Sequence, residues 1–170
     1  MEDPARGRTS VHFVHGLESG PGSSKSVYLG GRFGAVTPSM DTSSFEGSVT
    51  TQAAALAGRP PDVLVGSSFG GAVALALLQR GYFRGPTLLL APAHRHYPVE
   101  ERVPEGIAVV IVHGTRDRVV SIEGSRALAR TGTPGLVELR EVADEHRLAS
   151  LSKGDDLEVL VRRALSLHGR

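Results

Sequence analysis

Short apolar runs of strand length alternate along the chain with longer segments of helical spacing, and this alternation leaves few architectures open. Residues 86–91 (PTLLLA) and 107–113 (IAVVIVH) are continuously apolar. Residues 10–15 (SVHFVH) are rich in β-branched and aromatic side chains and stop at Gly16, and residues 61–67 (PDVLVGS) form another short apolar run. A strand with one face in water alternates apolar and polar residues, whereas one covered on both faces reads as a continuous apolar run. Residues 136–142 add a further strand and residues 32–38 a weaker one. Between them, Ser43 followed by Glu46 makes a capping box, after which Val49, Ala53 and Leu56 recur at helical spacing up to Gly58. Residues 69–80 are apolar almost all round, as in a helix at the centre of a domain, and Gly81 ends them. Residues 121–130 read as a helix stopped by Gly132. Asp155 with Glu158 caps a last helix, whose Leu157, Leu160, Val161 and Leu165 share one face. The expected fold is α/β: a mostly parallel sheet of about six strands with helices on both faces, in a single domain over residues 1–170, with 1–9 as a flexible N-terminus.

Composition narrows the function classes. With 19 basic and 18 acidic side chains the formal net charge is +1, and no block of Lys and Arg stands out. Nothing in that balance points to nucleic acid or an anionic membrane as partner. The chain has no cysteine, which excludes disulfides, thiolate metal sites and cysteine nucleophiles. The opening MEDPARGRTS carries acids and a proline and no apolar run, and the longest apolar stretch, 72–78, is too short to cross a bilayer. A cytoplasmic protein is the expectation.

In open sheets of this kind ligands bind beyond the carboxyl ends of the strands. Gly66-Ser67-Ser68-Phe69-Gly70 sits at such an end, between a strand and a helix, and is the one G-x-S-x-G in the chain. In a chain this rich in Gly and Ser the pattern alone is weak, since chance supplies about 0.2 matches. Its position gives it meaning. A sharp strand-to-helix turn with Gly on both sides lets the two elements approach closely and lifts the central hydroxyl clear of the sheet. Ser68 is then a nucleophile and Ser67 its strand-end neighbour.

A serine hydroxyl needs a base to take its proton, and the base needs a partner to orient it. On such a turn the chain order is Ser, then acid, then His. Asp117 follows the apolar strand of the second half and suits the acid. Of the histidines after it, His168 lies two residues from the end, which leaves His146 as base. Asp144 and Glu145 adjoin His146 and are rival acids or supporting partners. Acyl transfer also needs donors where a carbonyl oxygen becomes negative. The backbone N–H of Phe69, after the nucleophile, and of Leu17, after His15-Gly16, fit that role.

The rest of the front loop, up to Lys25, invites a phosphate-loop reading. That motif requires Gly directly before the Lys and again five residues earlier, where this chain has Ser24 and Ser19. Val119, Val120, Leu148, Leu17 and Phe69 are candidates for an apolar acyl wall. His94, Arg95, His96 and Tyr97 follow a strand and are expected to rim the mouth. With no acidic or Cys ligand beside them, His94 and His96 read as polar rim and not as metal ligands.

HGLESGP, GSSFGG, HGTRDRVV and EHRL occur in the order found in α/β-hydrolases. The chain resembles the compact, cap-less bacterial esterases, above all the YqiA-like group, which share an HG-x-x-S-x-P-x-S-x-K loop; here the stretch is HGLESGPGSSKS. The resemblance spans roughly residues 11–165. It implies carboxylesterase or thioesterase action on a small acyl ester or thioester, with no cofactor, and it gives Ser68, Asp117, His146, Leu17 and Phe69 the roles stated above. The alternatives are a non-catalytic binding or regulatory protein on the same fold, or a hydrolase of amides or peptides. Many α/β-hydrolases insert a lid after the strand that follows the nucleophile helix. Here residues 93–106 are all that joins PTLLLA to IAVVIV, too little for a multi-helix cap, so an open, shallow site is expected.

Overall fold

The computed structural model describes residues 8–17 and 19–169. Most of the stretch expected to be a flexible N-terminus, residues 1–7, lies outside the described residues, as does Glu18 in the front loop. Five strands form one parallel sheet in chain order: β1 (Val11–Val14), β2 (Val63–Ser67), β3 (Thr87–Leu90), β4 (Val109–Gly114) and β5 (Val137–Val142). Val14, Gly66, Leu89, Ile111 and Leu139 stand side by side in one row across it. Strands β1 to β4 are buried along almost their whole length, which is why they read as continuous apolar runs. Strand β5 is the half-buried edge, with Glu138, Arg140 and Glu141 interrupting its apolar residues.

The two faces of the sheet carry separate cores. Phe13, Val65, Leu88 and Val110 point to one face, where α1 (Ser24–Phe33) and α5 (Asp156–His168) pack. Val14, Leu64, Leu89 and Ile111 point to the other, under α2 (Phe45–Gly58), α3 (Phe69–Gln79) and α4 (Ile122–Leu128). Helix α3 buries every residue from Phe69 to Leu78, as its all-round apolar sequence requires. No helix among the described residues is long and apolar enough to cross a membrane.

The structure corrects three details. The sixth strand expected over residues 32–38 is reduced to Val36, which exchanges hydrogen bonds with Val11 and Phe13 at the outer edge of β1. Arg32 and Phe33 belong instead to α1, a helix that residue patterning did not reveal because Gly30 and Gly31 lie inside it. Burial of Leu29 and Phe33, and capping by Ser23 and by a left-handed Gly34, offset that low propensity. Helix α2 is capped by Ser44, whose side chain accepts from the Gly47 N–H at 3.0 Å, while Ser43 bonds Asp41. Asp155 stands at the N-cap of α5, but its side chain makes no capping hydrogen bond; its carboxylate meets Arg32 of α1 at 3.0 Å, and Glu158 meets the same guanidinium at 3.1 Å.

Because every strand runs the same way, all carboxyl ends lie along one rim of the sheet. That rim carries His15 to Leu17 after β1, Ser68 after β2, Asp117 after β4 and His146 after β5.

Candidate active site

Ser68 is the single residue joining β2 to α3, and its backbone adopts φ 55° and ψ −114°. A non-glycine residue in such a conformation costs on the order of 1–3 kcal/mol and persists only where its surroundings hold it. Here the Ser68 N–H donates to Leu90 O at 2.9 Å, and its carbonyl accepts from Gly71, Ala72 and Ala93 at 2.9, 3.1 and 3.0 Å. The flanking glycines make room for the turn. A Cβ on Gly66 would lie 2.5 Å from the Gly70 carbonyl oxygen, and one on Gly70 would lie 2.0 Å from that of Val14.

Asp117 closes a tight turn after β4, its N–H donating to Gly114 O at 3.2 Å. Its side chain is wholly shielded from solvent. Oδ1 accepts the N–H groups of Val119 and Val120 at 2.8 and 2.9 Å, and Oδ2 accepts His146 Nδ1–H at 2.7 Å. Burial opposes ionisation of this carboxyl, but the hydrogen bonds from Val120, His146 and Val119 outweigh it and hold its pKa below the ordinary aspartate value. With Nδ1 donating to the carboxylate, the Nε2 lone pair of His146 is left to face Ser68 Oγ at 2.8 Å. Asp144, the rival acid, is turned elsewhere. Its Oδ2 accepts the Ser150 hydroxyl at 2.6 Å and the Ser150 N–H at 3.0 Å, and its Oδ1 accepts the Glu145 N–H at 2.8 Å.

The front loop passes beside Ser68. A Cβ on Gly16 would stand 3.6 Å from Ser68 Cβ and 3.4 Å from the Ser67 carbonyl oxygen. The loop is fixed locally by the Gly16 N–H donating to Ser19 Oγ at 3.0 Å and by His15 Nδ1–H donating to the Gly16 carbonyl at 2.8 Å. Leu17 follows with its side chain exposed. Phe69 is the first residue of α3, so its N–H has no acceptor within the helix.

The residues expected to line the substrate site divide. Leu17 and Val119 are 52% and 68% exposed, and Val120 is buried. The Phe69 ring is buried and meets Phe45 and Tyr97 edge-on, at 6.0 and 5.0 Å between centroids. Leu148 is not part of an acyl wall. Its backbone takes φ 48° and its side chain turns into the core with Leu157 and Val161. His94 does not rim the mouth either: it is buried, with Nε2 3.1 Å from Glu101 Oε2 and Nδ1 3.3 Å from the Pro92 carbonyl. Burial pulls its pKa below the ordinary histidine value despite the pull of Glu101 in the other direction. His96 stays exposed and Tyr97 half-buried.

Two contributors escaped the sequence reading. His113, at the end of β4, is fully buried; its Nε2–H donates to Val120 O at 3.0 Å and lies 3.0 Å from Asp117 Oδ2, while Nδ1 meets Ser125 Oγ at 2.7 Å. Its signal was the four-residue spacing to Asp117 across the strand-end turn. The second is Lys25, whose Nζ donates to the carbonyl of Arg147, the residue after His146.

No family model matches the chain, and no curated protein matches it in sequence. Solved structures do match in shape. The esterase domain of a Rhodothermus marinus protein superposes with a TM-score of 0.66 at 20% identity, covering 93% of this chain and 86% of its own. A monoacylglycerol lipase from Paleococcus ferrophilus gives 0.69 at 16% identity, covering 93% and 94%. The mouse alpha/beta hydrolase domain-containing protein 10 gives 0.68 at 15% identity, covering 93% and 88%. The agreement extends over nearly the whole of each chain: this protein has the α/β-hydrolase fold.

Proposed function

We propose that the protein is a serine hydrolase that cleaves carboxylic ester or thioester bonds through an acyl-enzyme on Ser68. The observation that carries this reading is the unbroken relay from Asp117 Oδ2 through His146 to Ser68 Oγ, at 2.7 and 2.8 Å. His146 Nε2 takes the hydroxyl proton as Oγ attacks the acyl carbon. Asp117, held ionised, fixes the tautomer and stabilises the imidazolium that forms. The oxyanion is received by the N–H groups of Leu17 and Phe69. The imidazolium then protonates the leaving alcohol or thiol. Water enters, gives its proton to His146 and releases the acid. This route uses only side chains, backbone amides and water.

Two of the structural neighbours are named an esterase domain and a monoacylglycerol lipase, which favours an acyl ester as substrate. The exposed Leu17 and Val119 give an acyl chain apolar surface to lie on.

The test is labelling by a fluorophosphonate probe together with hydrolysis of a short p-nitrophenyl ester. The wild-type protein should react with both. Ser68→Ala should lose labelling and about three or more orders of magnitude in turnover. Near-normal hydrolysis by Ser68→Ala would reject the mechanism, and an inert wild-type serine would reassign the fold to binding. A panel of esters and acyl-CoA thioesters then separates the two substrate classes.

A further inference from the structure

Lys25, at the end of the front loop, is a conspicuous residue for which the hydrolytic mechanism has no use. It opens α1 in a rigid setting: Ser23 accepts the Ser26 N–H at 3.3 Å, and the Ser26 hydroxyl bridges Pro21 O at 2.7 Å and Thr37 Oγ1 at 2.9 Å. From there Nζ crosses to the Arg147 carbonyl. Two further residues of the same helix continue the line. The Tyr28 hydroxyl donates to Gly154 O at 2.7 Å, and the Arg32 guanidinium spans Asp155 and Glu158 at 3.0 and 3.1 Å. Positions 25, 28 and 32 recur at helical spacing on one face of α1. They meet the segment from residue 147 to 158 in order.

We infer that this face of α1 is a clasp on the segment running from His146 into α5, and that Lys25 is its positioning residue for the imidazole. The inference rests on the hydrolase reading for its catalytic consequence, not for the contact itself. The segment needs such a clasp. Residues 147, 149 and 150 are exposed, and Leu148 is held at a positive φ. The Lys25 ammonium holds the carbonyl adjoining His146, and a displacement of about 1 Å in a reacting group can cost on the order of a hundredfold in rate. The groups facing the ammonium are Asp144, which attracts it, and Arg147, which repels it. Burial pulls the lysine pKa below its ordinary value, so the cation is kept there at some cost and is matched by a carbonyl and a nearby carboxylate. The same contact joins the loop carrying the Leu17 amide to the loop carrying the base.

Lys25→Met keeps the alkyl stem and removes the donor. It should lower kcat at least about tenfold with KM little changed, and the downfield proton resonance of His146 Nδ1–H should weaken or broaden. Lys25→Arg, which keeps the donor, should restore both. Tyr28→Phe, cut farther from the site, should lower the melting temperature and leave kcat alone. Lys25→Gln, a donor of shorter reach, is measured alongside in case the Met variant does not fold, and an intermediate loss is expected of it. Wild-type kcat and an unchanged resonance in Lys25→Met, or in Lys25→Gln where Met does not fold, overturn the inference while leaving the hydrolase reading intact. A wild-type protein inert to ester and probe would instead reject the hydrolase reading, and the resonance comparison would still decide whether the clasp exists.

Discussion

At Asp117 the amides of Val119 and Val120 and the rings of His146 and His113 converge on one buried carboxylate. Asp144, whose carbonyl accepts the Arg116 N–H beside Asp117, spends its carboxylate oxygens on Ser150 and Glu145. The two carboxylates are therefore unequal in what they can do for the base. Asp117→Asn should lower kcat by about three to four orders of magnitude, because an amide at that place favours the wrong histidine tautomer. Asp144→Asn should cost stability and less than tenfold in kcat; the reverse ranking, read from steady-state hydrolysis, would make Asp144 the acid. His113 acts one step further out. Its Nε2 faces only acceptors and so carries the proton, leaving Nδ1 to receive the Ser125 hydroxyl. His113→Phe removes the donor that holds the Val120 carbonyl beside the carboxylate and should lower kcat about tenfold, as the loss of a neutral hydrogen bond that positions a neighbour does. These positions also mark how far residue reading reaches. Ser68, Asp117 and His146 were legible because each follows a strand in an order the fold dictates. Leu148 and His94 were not, because a side chain's direction after a turn depends on local backbone torsions and on partners such as Glu101 that lie elsewhere in the chain.

The elements were legible where burial on both faces erased polar alternation, as in β1 to β4, and where a central helix had no polar side, as in α3. Helix α1 was hidden because glycines occupy its middle and tertiary packing, not propensity, forms it. The strand expected at 32–38 failed for a related reason: α1 runs on to Phe33, and only Val36 is left to touch β1. The joint between β2 and α3 shows the opposite, a place where sequence dictates geometry almost atom by atom. At Gly70 an added methyl would meet the Val14 and His15 carbonyl oxygens at 2.0 and 2.5 Å, and backbone cannot yield as a flexible side chain does. Gly70→Ala should cost about 3 kcal/mol, or roughly 6–12 °C in melting temperature for a chain of this size. It should also lower kcat by displacing the Phe69 amide from the end of β1. Gly22→Ala, with nothing within 4 Å of its added carbon, is the matched control and should melt within about 2 °C of wild type. Equal melting points for the two variants would mean that α3 and β1 are not packed at the distance described.

Across the whole molecule, charge is placed so that acid should unfold it in two stages. His12, bonded to Gln52, and His94 are buried, and burial holds both below the ordinary histidine pKa. A group with a depressed pKa binds fewer protons folded than unfolded, so its share of stability is complete above its unfolded pKa and drains away as pH falls below it. For these histidines the loss begins below about pH 6.5. The carboxylates form the second stage. Burial at Asp117 is overcome by its hydrogen-bond donors, while the Ser150 hydroxyl at Asp144 and the Arg163 guanidinium at Glu138 act as the main influence, and all three pKa values are lowered. Their contributions hold above about pH 4 and are lost as pH drops through the folded values. Glu138 sits on the half-exposed edge strand, where solvent screens its pair with Arg163, so its share of this stage should be small. Urea midpoints measured from pH 8 to pH 3 should therefore be level at the alkaline end, decline gently below about pH 6.5 and fall steeply below about pH 4. Replacing His12 by Gln removes a titrating group from the first stage and should shrink that decline without altering the second. A midpoint that stayed constant down to pH 4.5 would show that the two histidines titrate in the folded chain as they do in the unfolded one, and that the interior does not hold them neutral.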